Sequence, residues 1–133
     1  MTMSRDDIFE RVRDVLVEAL SADDDEVTPE ASLTADLQAE SIDFLDIVFR
    51  LEKAFSTPEA PFKIQQGELF PENLMENPQW VQNGAFTDAG MQTLREKMPH
   101  VRFDDFDRDI NKVAALITVD SIVNFVERKL TAA

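Results

Sequence analysis

The chain has 133 residues, 44% of them hydrophobic and 30% charged, enough for one modest hydrophobic core and unlike a disordered segment. Its 27 acids against 13 bases give a formal net charge of −14, so nucleic acid and anionic membrane surfaces would repel it while basic protein partners would not. There is no cysteine, which excludes disulfides and thiolate metal sites and fits a reducing compartment; a cytoplasmic location is expected.

The N-terminal stretch MTMSRDDIFE shows no apolar run after a basic segment, so no signal peptide is expected. No window approaches the roughly 18 apolar residues of a membrane span. Residues 4–20 read as a helix, with Ser4 as N-cap and Ile8, Val12, Val15, Leu16 and Ala19 at helical spacing. The period is then lost from Ser21 to Glu40. Val27, Leu33 and Leu37 look like anchors for a long loop, and loops of this length are often functional. The acids Asp23, Asp24, Asp25 and Glu26 lack the ligand alternation and central glycine of a calcium loop, so no metal site is expected. Between Asp14 and Asp46 lie eleven acids, both ends included, and not one Lys or Arg, an imbalance that points to recognition of a basic partner.

Ser41 opens a second helix over 41–54. Phe44, Ile47, Val48, Leu51 and Phe55 form the stripe expected to face the core, with Asp43, Asp46, Arg50 and Lys53 opposite. Ile42, Leu45 and Phe49 lie on one flank, either the edge of the core or a partner surface, and periodicity does not choose between these. Residues 56–110 are irregular and hold five of the six prolines and all three glycines. Within them Pro78 suggests a short turn of helix around Asn77 and Trp80. Thr87 reads as the N-cap of a helix carrying Met91, Leu94 and Met98 and stopped at Pro99. Phe103 and Phe106 read as anchors, Arg108 to Leu116 as a short helix, and a last helix begins near Thr118 with Val119, Ile122, Val123, Val126 and Leu130 on one face.

No local constellation supports catalysis. A nucleophilic serine needs a base and an oxyanion hole. Ser41 has no Gly-x-Ser-x-Gly setting, its flanks Glu40 and Asp43 would oppose an oxyanion, and the single histidine, His100, has no sequence cue tying it to Ser41. Glycine-rich phosphate loops are absent as well. A serine modified by another enzyme needs none of these. A plain N-cap at Ser41 remains the alternative.

The run EVTPEASLTADLQAESIDFLDIVFRLEKAF, from Glu26 to Phe55, resembles the acyl carrier protein family. That family has a loop ending Leu-Gly-Ala-Asp-Ser-Leu and an acidic helix ending Leu-Glu-x-x-Phe. Val27, Thr28, Pro29, Ala31 and Ser32 match its Val-Thr-Pro-x-Ala-Ser, Glu40-Ser41-Ile42 match its Asp-Ser-Leu conservatively, and the ending ITVDSIVNFVERKL is similar to its last helix. The resemblance implies an all-α, antiparallel four-helix bundle of the acyl carrier type. It implies 4′-phosphopantetheine on Ser41, transferred from coenzyme A by a phosphopantetheinyl transferase, with acyl groups held as thioesters on the arm. It also implies a partner-docking face made of Glu40, Ile42, Asp43, Leu45, Asp46 and Phe49, read by basic patches on that transferase and on acyl-processing enzymes. A monomeric carrier, not an enzyme, is the expectation, and an unmodified adaptor using the same acidic helix is the alternative.

Three features depart from the family. Gln38 stands where Gly is usual, Lys53 stands where an acid is frequent, and about 56–107 form an inserted helical segment within a single domain spanning 1–133. The insertion is either a flap that thickens the core or a partner surface or acyl pocket built on Trp80, Phe86, Met91 and Met98.

Overall fold

Ser4 turns the extended N-terminal backbone into a helix by accepting the Asp7 N–H on its hydroxyl, and α1 (Arg5–Leu20) follows. The computed structural model describes residues 4–65, 69, 77–103 and 106–132. Ile8, Val12, Val15 and Leu16 of α1 are buried, and Ser21, in the left-handed region at φ 55°, ends the helix.

The loop from 21 to 40 is closed on the core and not free in solution. Its acid cluster forms a 3₁₀ turn, Asp24–Glu26, in which the Asp23 N–H donates to the Glu26 carboxylate at 3.2 Å. Val27, Leu33 and Leu37 are buried, as their apolar character suggested. The loop is also bonded to the start of α4 (Val119–Ala132). Leu33 N–H donates to the Ile117 carbonyl at 3.0 Å, while Val119 N–H and Asp120 N–H donate to the Ala31 and Pro29 carbonyls at 3.0 and 2.9 Å. First-turn donors that a helix cannot satisfy internally are thus taken by the loop. Thr118 and Ser121 complete the start of α4, each accepting the other's N–H on its hydroxyl.

In α2 (Ser41–Phe55) the expected stripe does face inward: Ile47, Leu51 and Phe55 are buried, and Phe44 and Val48 are half-buried against the same core. The N-cap is Glu40, so Ser41 is the first helical residue and not the cap. α1 packs against both α2 and α4. Arg11 donates to the Ala54 carbonyl at 3.0 Å and Arg50 to Glu18 at 3.0 Å, contacts that set α1 and α2 antiparallel. Arg5 ties α1 to Asp120 and Glu127 of α4.

The chain leaving α2 is stitched back onto it. Phe62 N–H donates to the Ser56 hydroxyl and Ile64 N–H to the Glu52 carboxylate, both at 2.8 Å, and the Phe55 and Phe62 rings lie 5.6 Å apart. Gly67 and Pro71, two of the glycines and prolines of this stretch, lie outside the described residues. Around Pro78 the chain makes a short turn where one turn of helix was expected, the Trp80 and Val81 N–H groups both donating to the Asn77 carbonyl at 3.0 Å, and then a two-stranded antiparallel ribbon, β1 (Val81–Gln82) and β2 (Ala85–Phe86), which was not expected. The cause is the Asn83-Gly84 pair, with φ of 56° and 78°, the backbone of a tight hairpin turn. α3 (Asp88–Lys97) is capped by Thr87, whose hydroxyl accepts the Gly90 N–H at 3.1 Å; Met91, Leu94 and Met98 are buried, as their spacing suggested. The stretch 108–116 forms two 3₁₀ turns, Ile110–Lys112 and Ala114–Leu116, instead of one short helix. Pairing of β2 with its neighbour competes there: Phe86 N–H donates to the Arg108 carbonyl and Ile110 N–H to that of Gly84.

Among the described residues the architecture is a bundle of four α-helices with one small ribbon. No described helix is long and apolar enough to cross a membrane.

Candidate functional site

The approach to α2 is a compact turn. Leu37 N–H donates to the Ser32 carbonyl at 3.0 Å and Ala39 N–H to that of Leu33 at 2.7 Å, which buries both Leu37 and Ala39. Between them Gln38 sits at φ 59°, in the left-handed region that costs a non-glycine residue roughly 1–2 kcal/mol. The turn is therefore the one a glycine would make, built with a residue that bears strain. Gln38 itself is exposed.

Glu40 then caps α2. Its N–H donates to the Asp43 carboxylate at 2.8 Å and its carbonyl accepts the Asp43 N–H at 2.9 Å. Ser41 and Ile42 occupy the first turn, where N–H groups have no intrahelical acceptor. An anion attached at position 41 would lie at the positive end of α2, an effect worth about 0.3–1 kcal/mol. Exposed Glu40 opposes it, and Asp43, although engaged in the cap, remains an acid of the same turn. The helix end tempers that repulsion. Ile42, in the same first turn, is 72% exposed, and an open turn would suit a bulky phosphodiester substituent. These residues fit such a group.

The three flank residues whose side periodicity left open are the exposed large hydrophobics of the described chain: Ile42 at 72%, Leu45 at 66% and Phe49 at 65%. Asp43 and Asp46 stand beside them, half-buried. All of the candidate docking residues thus share one outward face of α2 with Glu40 at its head. Asp46 is not an open charge, because Arg50 Nε donates to it at 3.0 Å, and the same guanidinium reaches Glu18 of α1 at 3.0 Å through Nη1. Sequence spacing foreshadows the Asp46–Arg50 contact, which is i, i+4 on a helix. Nothing in the sequence marks Glu18 as its third member. Lys53, exposed further down the face, is basic where the family favours an acid.

His100 is buried, its Nε2 3.2 Å from the Leu69 carbonyl oxygen and its ring edge-on to Phe125 at 5.1 Å. It serves the packing of the insertion onto α4. Phe86, Met91 and Met98 are likewise buried in the core, and Trp80 packs against it.

The chain is similar to known proteins over its N-terminal half. Residues 10–78 match the family described as phosphopantetheine attachment site. The acyl carrier protein of Petrotoga mobilis is 43% identical over 53 residues, covering 40% of this chain and 62% of that protein. That of Rubrobacter xylanophilus is 40% identical over 53 residues, covering 40% of this chain and 65% of its own length. The chain thus matches less than two thirds of the length of these relatives. No solved structure matches it. With over half of its residues inside the family match, the chain belongs to the phosphopantetheine attachment site family, whose covalent cofactor is 4′-phosphopantetheine.

Proposed function

We propose that Ser41 is the attachment residue and that the protein is an acyl carrier, not an enzyme, holding acyl intermediates as thioesters on the arm. The observation that supports this most is the placing of Ser41 at the head of α2, directly above the exposed Ile42, Leu45 and Phe49 and the acids Asp43 and Asp46. The arm supplies the thiol that this cysteine-free chain lacks. The face below Ser41 is read as the docking surface for a phosphopantetheinyl transferase and for acyl-processing enzymes with basic patches, which it would steer in a salt-dependent way. Its setting is a specialised fatty acid, lipid or polyketide pathway of the cytoplasm, with the protein a monomer and 56–107 an insertion within one carrier domain.

The test is intact-mass measurement after incubation with coenzyme A, Mg²⁺ and a broad-specificity phosphopantetheinyl transferase. The expected result is a gain of one phosphopantetheine group that Ser41→Ala abolishes. No gain would leave an unmodified adaptor, and a gain that survives Ser41→Ala would move the site elsewhere.

A further inference from the structure

Arg50 lies beside the exposed face of α2 and is bonded to acids of two helices. It lies in a groove of about 540 Å³ between α1 and α2, whose lining includes the acids Asp14, Glu18 and Asp46, the bases Arg11 and Lys53, and Phe49. One guanidinium holds two carboxylates from two helices, Glu18 and Asp46, each at 3.0 Å. Next to it Phe49 stands 65% exposed as an apolar lip. Neither carboxylate is deeply buried: side-chain exposure is 69% for Glu18 and 46% for Asp46, against 37% for Arg50.

As a stabilising clip this arrangement is weak, because exposed ion pairs contribute little and are screened by salt. The same weakness lets an incoming cation exchange with it. A partner guanidinium or ammonium beside Phe49 would find the charge pattern already satisfied and would have to displace Arg50 to gain it.

We propose that Arg50 is an intramolecular competitor for the Glu18–Asp46 carboxylate pair, a specificity-determining residue that masks the acidic face from weakly basic surfaces. Partners that dock are those carrying a base placed to displace it beside an apolar socket for Phe49. The inference rests on the reading of the α2 face as a docking surface, and it extends that surface across the groove onto α1. It adds a selection step to simple charge attraction. Net charge alone would let any basic surface bind a −14 protein; a self-occupied pair rewards only the geometry that replaces both 3.0 Å contacts.

The experiment uses the full chain carrying Ser41→Ala, so that it is independent of modification, and an amphipathic helical peptide of arginine and leucine as the probe. Peptide affinity is measured at low salt by fluorescence anisotropy. Arg50→Gln, which keeps most of the stem and removes the charge, is expected to tighten binding about three- to tenfold, a gain lost as salt screens the exposed charges. Arg50→Lys should bind between the two. Arg128→Gln, the same charge change at an exposed position of α4, measures the nonspecific part. Unchanged or weaker binding by Arg50→Gln, no measurable binding by it, or an equal gain from Arg128→Gln would overturn the proposal. Failure of Ser41 to gain mass bears only on the carrier reading, since the peptide assay contains no modification step.

Discussion

The Glu40 N–H donates to the Asp43 carboxylate at 2.8 Å, so the acid two residues beyond Ser41 helps close the helix end on which Ser41 stands. Asp43 therefore has two duties, one in the fold and one on the proposed docking face. Asp43→Ala should lower stability by about 1 kcal/mol, the usual cost of a lost cap, whereas Asp46→Ala should cost less than about 0.5 kcal/mol because it removes one exposed ion pair. Urea unfolding of the two variants checks this, and equal losses would contradict it. Asp46 is consequently the cleaner probe of docking. Asp46→Lys should slow phosphopantetheinyl transfer at low salt without a matching loss of fold.

Gln38→Gly should stabilise the protein, by up to about 1 kcal/mol, because it relieves a left-handed conformation at φ 59° and gives back part of that gain as unfolded-chain entropy. The midpoint of urea unfolding is the measurement. A lower midpoint would mean that the Gln38 side chain contributes more than its backbone strain costs.

Gly90 is required by a close approach and not by its backbone angle. A Cβ built there would lie 2.1 Å from the Trp80 carbonyl oxygen, which is backbone and cannot swing away. Gly90→Ala is expected to cost roughly 1–3 kcal/mol, as overpacking does, and to shift the emission of Trp80, the single tryptophan. Gly84→Ala meets nothing within 4 Å but stands at φ +78°, so its cost should be strain alone, about 1–2 kcal/mol, with little change at Trp80. Unfolding followed by tryptophan fluorescence separates the two.

The Lys112 ammonium, donating at 2.9 Å, and the Asp109 N–H hold the Asp107 carboxyl below its ordinary value of 3.8. The same contact raises Lys112 above 10.5. A depressed carboxyl contributes stability above its unfolded value that is lost as pH falls through the lower folded value; a raised ammonium contributes stability below 10.5 that is lost as pH climbs through its folded value. The pair is therefore intact across neutral pH and fails only at the two extremes. In an NMR titration, Lys112→Gln should move the Asp107 midpoint back up toward 3.8, and an unmoved midpoint would assign the shift to the Asp109 N–H instead.

Reading the chain as a string already locates its helices where the apolar period is strong. Ile8 to Leu16, Ile47 to Phe55, Met91 to Met98 and Val119 to Val126 each repeat a stripe that only burial explains, and each is buried. The cue for the ribbon was present too, in Asn83-Gly84 between Val81 and Phe86, but the apolar runs on either side are only two residues long and leave no alternation to read. Over 108–116 the local pattern is helical in character, but pairing with Gly84 and Phe86 takes the backbone groups a longer helix would use.

The serine motif, its acidic surroundings and the one-sided charge are properties of the sequence by itself, because they depend only on which residues are neighbours along the chain. Periodicity did not say whether Ile42, Leu45 and Phe49 are core or surface; the family resemblance pointed to a surface, and the tertiary structure shows all three exposed. A period of 3.6 marks the centre of an apolar stripe and leaves its width open, and α1 covers one side of α2 while leaving the other to solvent. The same holds for Arg50. Its i, i+4 link to Asp46 is local, but Glu18 reaches it only because α1 and α2 run antiparallel, which brings together two residues separated by 32 positions of sequence.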